Sequence, residues 1–194
     1  VSQPIWRPSA DRLATSNTAA YLKFLKERFG LEFAGFHDLY RWSVANIPQF
    51  WETIWQFADV KHSRPYEKIN LGDDMLNNQW FVGARLNYAE NLLRHRNDKP
   101  AIIHWNERGD RGRISHKELY LQVAGFAAGL KKVGVEPGDR VAAFIPNIPE
   151  AVIGMLSATS LGAIWSSCSP DFGQQGVLDR FSQIDPKVLI AVDG

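Results

Sequence analysis

The residues best suited to chemistry form one short run, Ser166-Ser167-Cys168-Ser169-Pro170-Asp171-Phe172-Gly173, where a strand gives way to a helix. Small hydroxyl side chains followed by proline and glycine let the backbone turn tightly. Its amides can then approach a phosphate, or a flat adenine can lie against it. The same pattern fits a plain strand-to-helix turn in which Ser169 or Asp171 acts as the cap. Cys168, the one cysteine, falls at the carboxyl end of the strand, a position from which a nucleophile can act, but no general base accompanies it. No residue is assigned a catalytic role.

Other reactive constellations are missing. The five histidines (His37, His62, His95, His104 and His116) lack metal-ligand spacing, and His104 sits in an apolar run as a buried or edge histidine would. No Gly-rich dinucleotide fingerprint, Walker-type phosphate loop, zinc-protease helix or nucleophile elbow occurs. A single cysteine excludes an internal disulfide and a thiolate cluster, which fits a reducing compartment and predicts a cytoplasmic protein. The net charge of +1 supplies no field for nucleic acid or an anionic membrane. The basic runs Arg94-His95-Arg96 and Arg108 to Arg113 are broken by acidic and neutral residues, as on a solvated surface. Neither a membrane span nor, in Val1 to Trp6, a signal peptide is recognisable.

The elements that must position the Ser169–Gly173 run are marked by caps and periodicity. Ser16 or Asn17 starts a helix carrying Leu22, Phe24, Leu25 and Phe29 and ending at Gly30. A second helix is predicted over His37–Ala45 and a third from Pro48, with Phe50, Trp51, Ile54, Trp55 and Ala58 as a stripe that reads as core rather than as a ligand platform. Residues 61–95 read as mostly irregular, apart from a short helix at Tyr88–Leu93. A polar break at Asn97-Asp98-Lys99-Pro100 divides a helical part, 1–97, from an α/β part, 98–194.

Beyond the break, Ala101–Trp105 reads as a strand and Gly109-Asp110 as a turn. Ser115-His116-Lys117-Glu118 reads as a capping box for a helix that stops at Gly134. Val141–Ile145 is continuously apolar, as a strand covered on both faces would be. Asn147 is the expected cap of the next helix, with Ile148, Val152, Met155, Leu156 and Thr159 inward; strands at Ala163–Ser167 and Lys187–Val192 flank a helix over Gln175–Ile184. This alternation predicts three parallel strands with right-handed crossovers. Ligands of such sheets sit beyond the strands' carboxyl ends, here Pro146-Asn147, Ser167–Gly173 and Asp193-Gly194.

The stretch GDRVAAFIPNIPEAVIGMLSATSLGAIWSSCSPDFG, residues 138–173, resembles the start of the adenylate-forming superfamily of acyl-CoA synthetases, luciferases and peptide-synthetase adenylation domains. Upstream, WFVGARLNYAENLL, Trp80 to Leu93, is similar to the acetyl-CoA synthetase branch, which carries a helical N-terminal extension. Within that branch, Trp165–Gly173 resembles the acetoacetate-activating ligases, departing at Pro170-Asp171 from the Gly-Gly of acetate-specific members.

The resemblance implies an α/β fold: a helical extension over 1–97, then the incomplete beginning of a parallel-sheet adenylation subdomain over 98–194. It implies ATP, Mg²⁺ and coenzyme A as reactants or cofactors, and acetoacetate as the acid, with acetate or propionate as rivals. By position, Ser169, Pro170, Asp171 and Phe172 would line the cleft for the coenzyme's nucleotide. The family's phosphate loop, metal-binding acid, adenine motif and distal lysine do not occur in these residues, so the chain alone is expected to bind no ATP. Self-association through the edge of the last strand is a further expectation. A non-catalytic interaction module is the rival from another class.

Overall fold

A computed structural model of the chain describes residues 5–72, 74–109 and 111–192, in two compact units, Val1–Arg85 and Leu86–Gly194. Asp193-Gly194, Asp110 of the expected turn and Val1 to Pro4 lie outside the described residues.

The first unit is helical. It holds α1 (Ala10–Ala14), α2 (Asn17–Phe29), α3 (Phe36–Ala45) and α4 (Ile47–Phe57). Ser16 caps α2 by accepting the Ala19 N–H, and Gly30 ends it in the left-handed region, φ 68°, which costs a residue without Cβ little. Pro48 lies in the first turn of α4, where its missing N–H has no intrahelical partner to lose. Tyr21, Leu25 and Leu39 are buried, and Leu22, Phe24, Trp42, Phe50 and Ile54 pack on them. The Tyr21 and Thr53 hydroxyls share a buried 2.6 Å hydrogen bond; burial pushes the Tyr21 phenol above its ordinary range, partly offset by that bond.

Two elements here go beyond the sequence reading. The five-residue α1 forms under a Ser9 cap but buries nothing. The stretch 61–95, expected to be mostly irregular, contains an antiparallel hairpin of β1 (Lys68–Leu71) and β2 (Gln79–Val82), with Asn70 opposite Trp80. Aromatic packing holds it: Trp55, Tyr66 and Phe81 meet at 4.5 to 5.5 Å between ring centroids.

In the second unit, α5 (Tyr88–Leu92), capped by Asn87, precedes an antiparallel ribbon of β3 (Pro100–Trp105) and β4 (Arg111–Ser115). His104 on β3 faces Gly112 and lies where any Cβ there would sit, 2.2 Å from its Nε2. The ribbon leads into α6 (His116–Lys132) through the expected capping box. Ser115 Oγ accepts the Glu118 N–H at 3.2 Å, and Glu118 Oε2 accepts the Ser115 N–H at 2.8 Å. Donation by the Ser115 N–H, and then by its hydroxyl (2.7 Å), holds the Glu118 carboxyl below its ordinary range.

Then come β5 (Arg140–Phe144), α7 (Pro149–Ser160), β6 (Ile164–Cys168), α8 (Gln174–Phe181) and β7 (Val188–Ala191). The three strands are parallel, in the order β6-β5-β7, so the predicted crossover sheet is present. Only central β5 is buried on both faces; β6 and β7 expose Ile164 and Leu189. Lys187 anchors the start of β7, its ammonium donating to Asp139 Oδ2 (2.7 Å) and Gly134 O (2.6 Å).

Helix α7 departs from expectation at its start and in its buried face. Its N-cap is Ile148, not Asn147, and no side chain caps it. Pro149 is the cause: it pre-sets the first helical φ, removes one free N–H and drives the preceding residue into the extended region. The helix is also enclosed on more sides than one amphipathic face requires. Ile153, Gly154, Leu156, Ser157 and Ala158 are all buried, and the Ser157 hydroxyl reaches both Ile153 O and Val123 O.

Candidate functional site

The register of the parallel sheet brings the expected ligand loops to one edge. Phe144 of β5 pairs with Cys168 of β6 and Ala191 of β7, so all three strands end together. Pro146-Asn147 and Ser169–Gly173 leave this edge side by side, and the Ile145 N–H donates to Cys168 O across it (3.1 Å). Helix α7 packs on β6, the strand that leads into the second loop. Trp165 of β6 lies against Gly154, where a Cβ would stand 2.9 Å from the indole Cη2.

The loop closes on itself. Ser169 Oγ donates to Asp171 Oδ2 (2.7 Å), while the N–H groups of Asp171 and Phe172 donate back to Ser169 Oγ (3.3 Å) and O (3.1 Å). Neither Ser169 nor Asp171 therefore caps α8. The N-cap is Gly173, without a side-chain bond, so the capping alternative is not what the loop does. Pro170 fits this turn, having no N–H to satisfy. Phe172 keeps a partly open ring, and the Arg180 guanidinium lies 4.0 Å from its centroid. Arg180 Nη1 also donates to Gly176 O (2.8 Å), and Gly176, lacking a Cβ, leaves room for both side chains.

Ser169, Pro170, Asp171 and Phe172 thus form one exposed surface, with Arg180 added. The sequence reading passed over Arg180. The available signal was its helical i, i+4 spacing from Gly176, which lies just beyond the aromatic residue of the loop. Cys168 is 5 % exposed and packs with Ala142 and Phe181, so it is a core thiol without access to substrate. The loop's Ser169 hydroxyl and its Asp171 and Phe172 amides bond within the turn, so the edge offers chiefly the Phe172 face and the Arg180 guanidinium, beside the Asp171 carboxylate. The ring and the guanidinium can bind an anionic, ring-bearing ligand but supply no covalent step.

The other candidates are structural. Phe50 and Ile54 of the aromatic stripe enter the helical core, Trp55 packs on the hairpin and Trp51 meets Trp80 edge-on. A cavity of about 400 Å³ in this unit is lined mainly by apolar residues, among them Tyr21, Phe36, Leu39 and Phe57. Among the described residues no group of three or more His, Cys, Asp or Glu side chains is placed to hold a metal ion. No described helix is long and apolar enough to cross a membrane.

Residues 89–194 match the family of AMP-binding enzymes, and residues 36–92 match the acetyl-coenzyme A synthetase N-terminus. An acetoacetyl-CoA synthetase of Danio rerio is 43% identical over 195 residues, covering 98% of this chain and 29% of its own length. The acetoacetyl-coenzyme A synthetase of Rhizobium meliloti (strain 1021) is 42% identical, covering 99% of this chain and 30% of its own length. The structure of an acetoacetyl-CoA synthetase from Streptomyces lividans superposes with a TM-score of 0.89 at 42% identity, over 100% of this chain and 30% of that one. The chain therefore spans less than a third of the length of these relatives.

Proposed function

Since the chain belongs to the family of AMP-binding enzymes, we propose that it is the N-terminal part of an ATP-dependent acid–thiol ligase that activates acetoacetate. In the first step a carboxylate oxygen attacks the α-phosphorus of ATP, and the bond to pyrophosphate breaks. In the second the coenzyme A thiolate attacks the acyl carbonyl of the acyl-AMP and AMP leaves. Both steps turn on charge neutralisation and on holding reactants in line.

The share of these residues is binding and orientation. Residues 1–97 form the extension and 98–194 open the adenylation portion. Ser169, Pro170, Asp171 and Phe172 border the cleft that takes the coenzyme's nucleotide, its adenine meeting the Phe172 ring. Mg²⁺ would neutralise the phosphates of ATP in the first step; the described residues offer no cluster for it, so its ligands are assigned elsewhere in the full protein. Taken alone, the 194 residues bind no ATP, and calorimetric titration of the isolated chain is expected to be featureless. Saturable micromolar binding would refute that. The compartment proposed is the cytoplasm.

The reading rests on the agreement of the whole chain with the Streptomyces lividans acetoacetyl-CoA synthetase, 42% in sequence and 0.89 in TM-score. ATP–pyrophosphate exchange by the full-length protein, across acetoacetate, acetate, propionate and butyrate, tests it. Exchange strongest with acetoacetate is expected. Preference for another acid would retain the chemistry and remove the substrate, and no exchange from folded protein would remove the ligase reading.

A further inference from the structure

Arg180 holds a position that the turn itself does not require. The Ser169–Phe172 turn is closed by its own hydrogen bonds, and α8 ends at Phe181 without help from the arginine's side chain. Yet the guanidinium is folded back over the Phe172 ring at 4.0 Å, with only Nη1 engaged, on Gly176 O. The nearby acids have other partners: Asp179 accepts from Gln175 (2.7 Å) and Asp171 from Ser169 (2.7 Å). Among the described residues no carboxylate forms an ion pair with Arg180.

We infer that Arg180 is a positioning and phosphate-recognising residue for the coenzyme: its cation fixes the Phe172 ring as a platform while its remaining N–H groups meet a phosphate of the ring's ligand. The inference rests on the coenzyme reading of the Ser169–Phe172 loop. The physical basis is twofold. A cation over an aromatic face restricts the ring's rotation, and a guanidinium offers five donors in a fixed plane, of which one is already used here. A nucleotide that stacks on an aromatic ring carries its phosphates a few ångströms from that ring, within reach of a cation seated beside it. A lysine cannot replace both actions, since it lacks the planar fork.

The experiment uses the full-length protein and the variants Arg180→Ala, Arg180→Lys and Phe172→Ala. It reads KM for coenzyme A and kcat of thioester formation, ATP–pyrophosphate exchange, and the equilibrium Kd for coenzyme A and for dephospho-coenzyme A. For Arg180→Ala, KM and Kd for coenzyme A should rise about tenfold, as expected for loss of one charge-assisted contact, with kcat and exchange within about twofold of wild type. Arg180→Lys should fall between the two. If the 3′-phosphate is the partner, Arg180→Ala should weaken dephospho-coenzyme A less than coenzyme A; equal weakening assigns the pyrophosphate.

If Phe172→Ala raises KM for coenzyme A and Arg180→Ala does not, the inference fails and the loop reading stands. If neither variant moves it, the loop reading fails as well. A fall in exchange equal to the fall in thioester formation would reduce Arg180 to a structural role and overturn the inference.

Discussion

Replacing Gly154 with alanine sets two opposing effects at one buried point. In the interior of a helix, alanine is favoured over glycine by about 1 kcal/mol, since it restricts the unfolded chain and the helical backbone tolerates it. Against this, the new methyl would stand 2.9 Å from Trp165 Cη2 and 3.2 Å from Cζ3, with Ile190 Cδ1 at an ordinary 3.6 Å. Overpacking of this kind costs about 1–3 kcal/mol, and the partly buried Trp165 indole, packed between α7 and the sheet, has little room to yield. The expected net effect of Gly154→Ala is a loss of about 1 kcal/mol. The clashing atoms belong to the outer ring of the indole, which phenylalanine lacks. In a Trp165→Phe background, Gly154→Ala should therefore stabilise by about 1 kcal/mol, reversing sign and giving a coupling of about 2 kcal/mol. Urea denaturation of the four proteins, with the slope checked for constancy, measures both numbers. Equal losses in the two backgrounds would show that Trp165 does not set the space at position 154, and the packing account of this helix would fall.

Other perturbations address separate parts of the chain. Leu25→Ala in the helical core should cost about 2–5 kcal/mol, read by thermal or chemical denaturation, because the side chain is fully buried. Tyr21→Phe should cost only about 1 kcal/mol, since Thr53 keeps its bond to Phe50 O; a loss as large as that of Leu25→Ala would mean that an unpaired polar group is left behind. Ser115→Ala should lose about 1 kcal/mol and Ser115→Thr much less, by the same denaturation assay, if the hydroxyl is the cap of α6. The Asp139 carboxyl is held below its ordinary range, first by the hydrogen bond from Lys187 and then by the Glu136 N–H. The unfolded chain takes up that proton at higher pH, so the stabilisation is complete above the ordinary aspartate pKa and is lost as pH falls through the lower folded value. Denaturation midpoints followed down to about pH 3 should decline less steeply in Asp139→Asn than in wild type.

The parallel sheet and its helices were legible because their signals are local and redundant. The capping box at Ser115–Glu118, the apolar run of β5 and the glycine at position 30 each have one physical meaning, and the structure uses them so. Strand β4 was not legible: Arg111-Gly112-Arg113 follows the Gly109-Asp110 turn with no apolar alternation, and only pairing with Trp105, His104 and Ile103 makes it a strand. The hairpin of β1 and β2 was hidden likewise, since Tyr66 and Phe81 close on Trp55, a ring supplied by α4 rather than by the hairpin. Asn147 has the chemistry of a cap, but the proline two residues on moves the helix start past it. At the candidate site the loop residues were visible as a motif. Their bonding was not, because whether Asp171 turns toward Ser169 or toward α8 depends on the turn geometry, and Arg180 acquires its place only once α8 is formed.

The strand order β6-β5-β7 has a consequence for how the chain reaches this structure. The strand made first, β5, is central, so it leaves the ribosome with two unpaired edges and must wait for both partners. Its pairing with β6, Val141 with Trp165, spans about half the sequence distance of its pairing with β7, Val141 with Val188. Doubling a loop adds only about 0.6 kcal/mol to its closure, yet the shorter one closes first because its partner is synthesised first. On this order β5, α7 and β6 would pair first and leave β5's other edge for β7, whose start is fixed in the folded chain by Lys187 on Asp139. Until β7 arrives, Val141, Ala142 and Ala143 stand at an uncovered edge, and that interval is when this sequence is most exposed to pairing with the wrong strand.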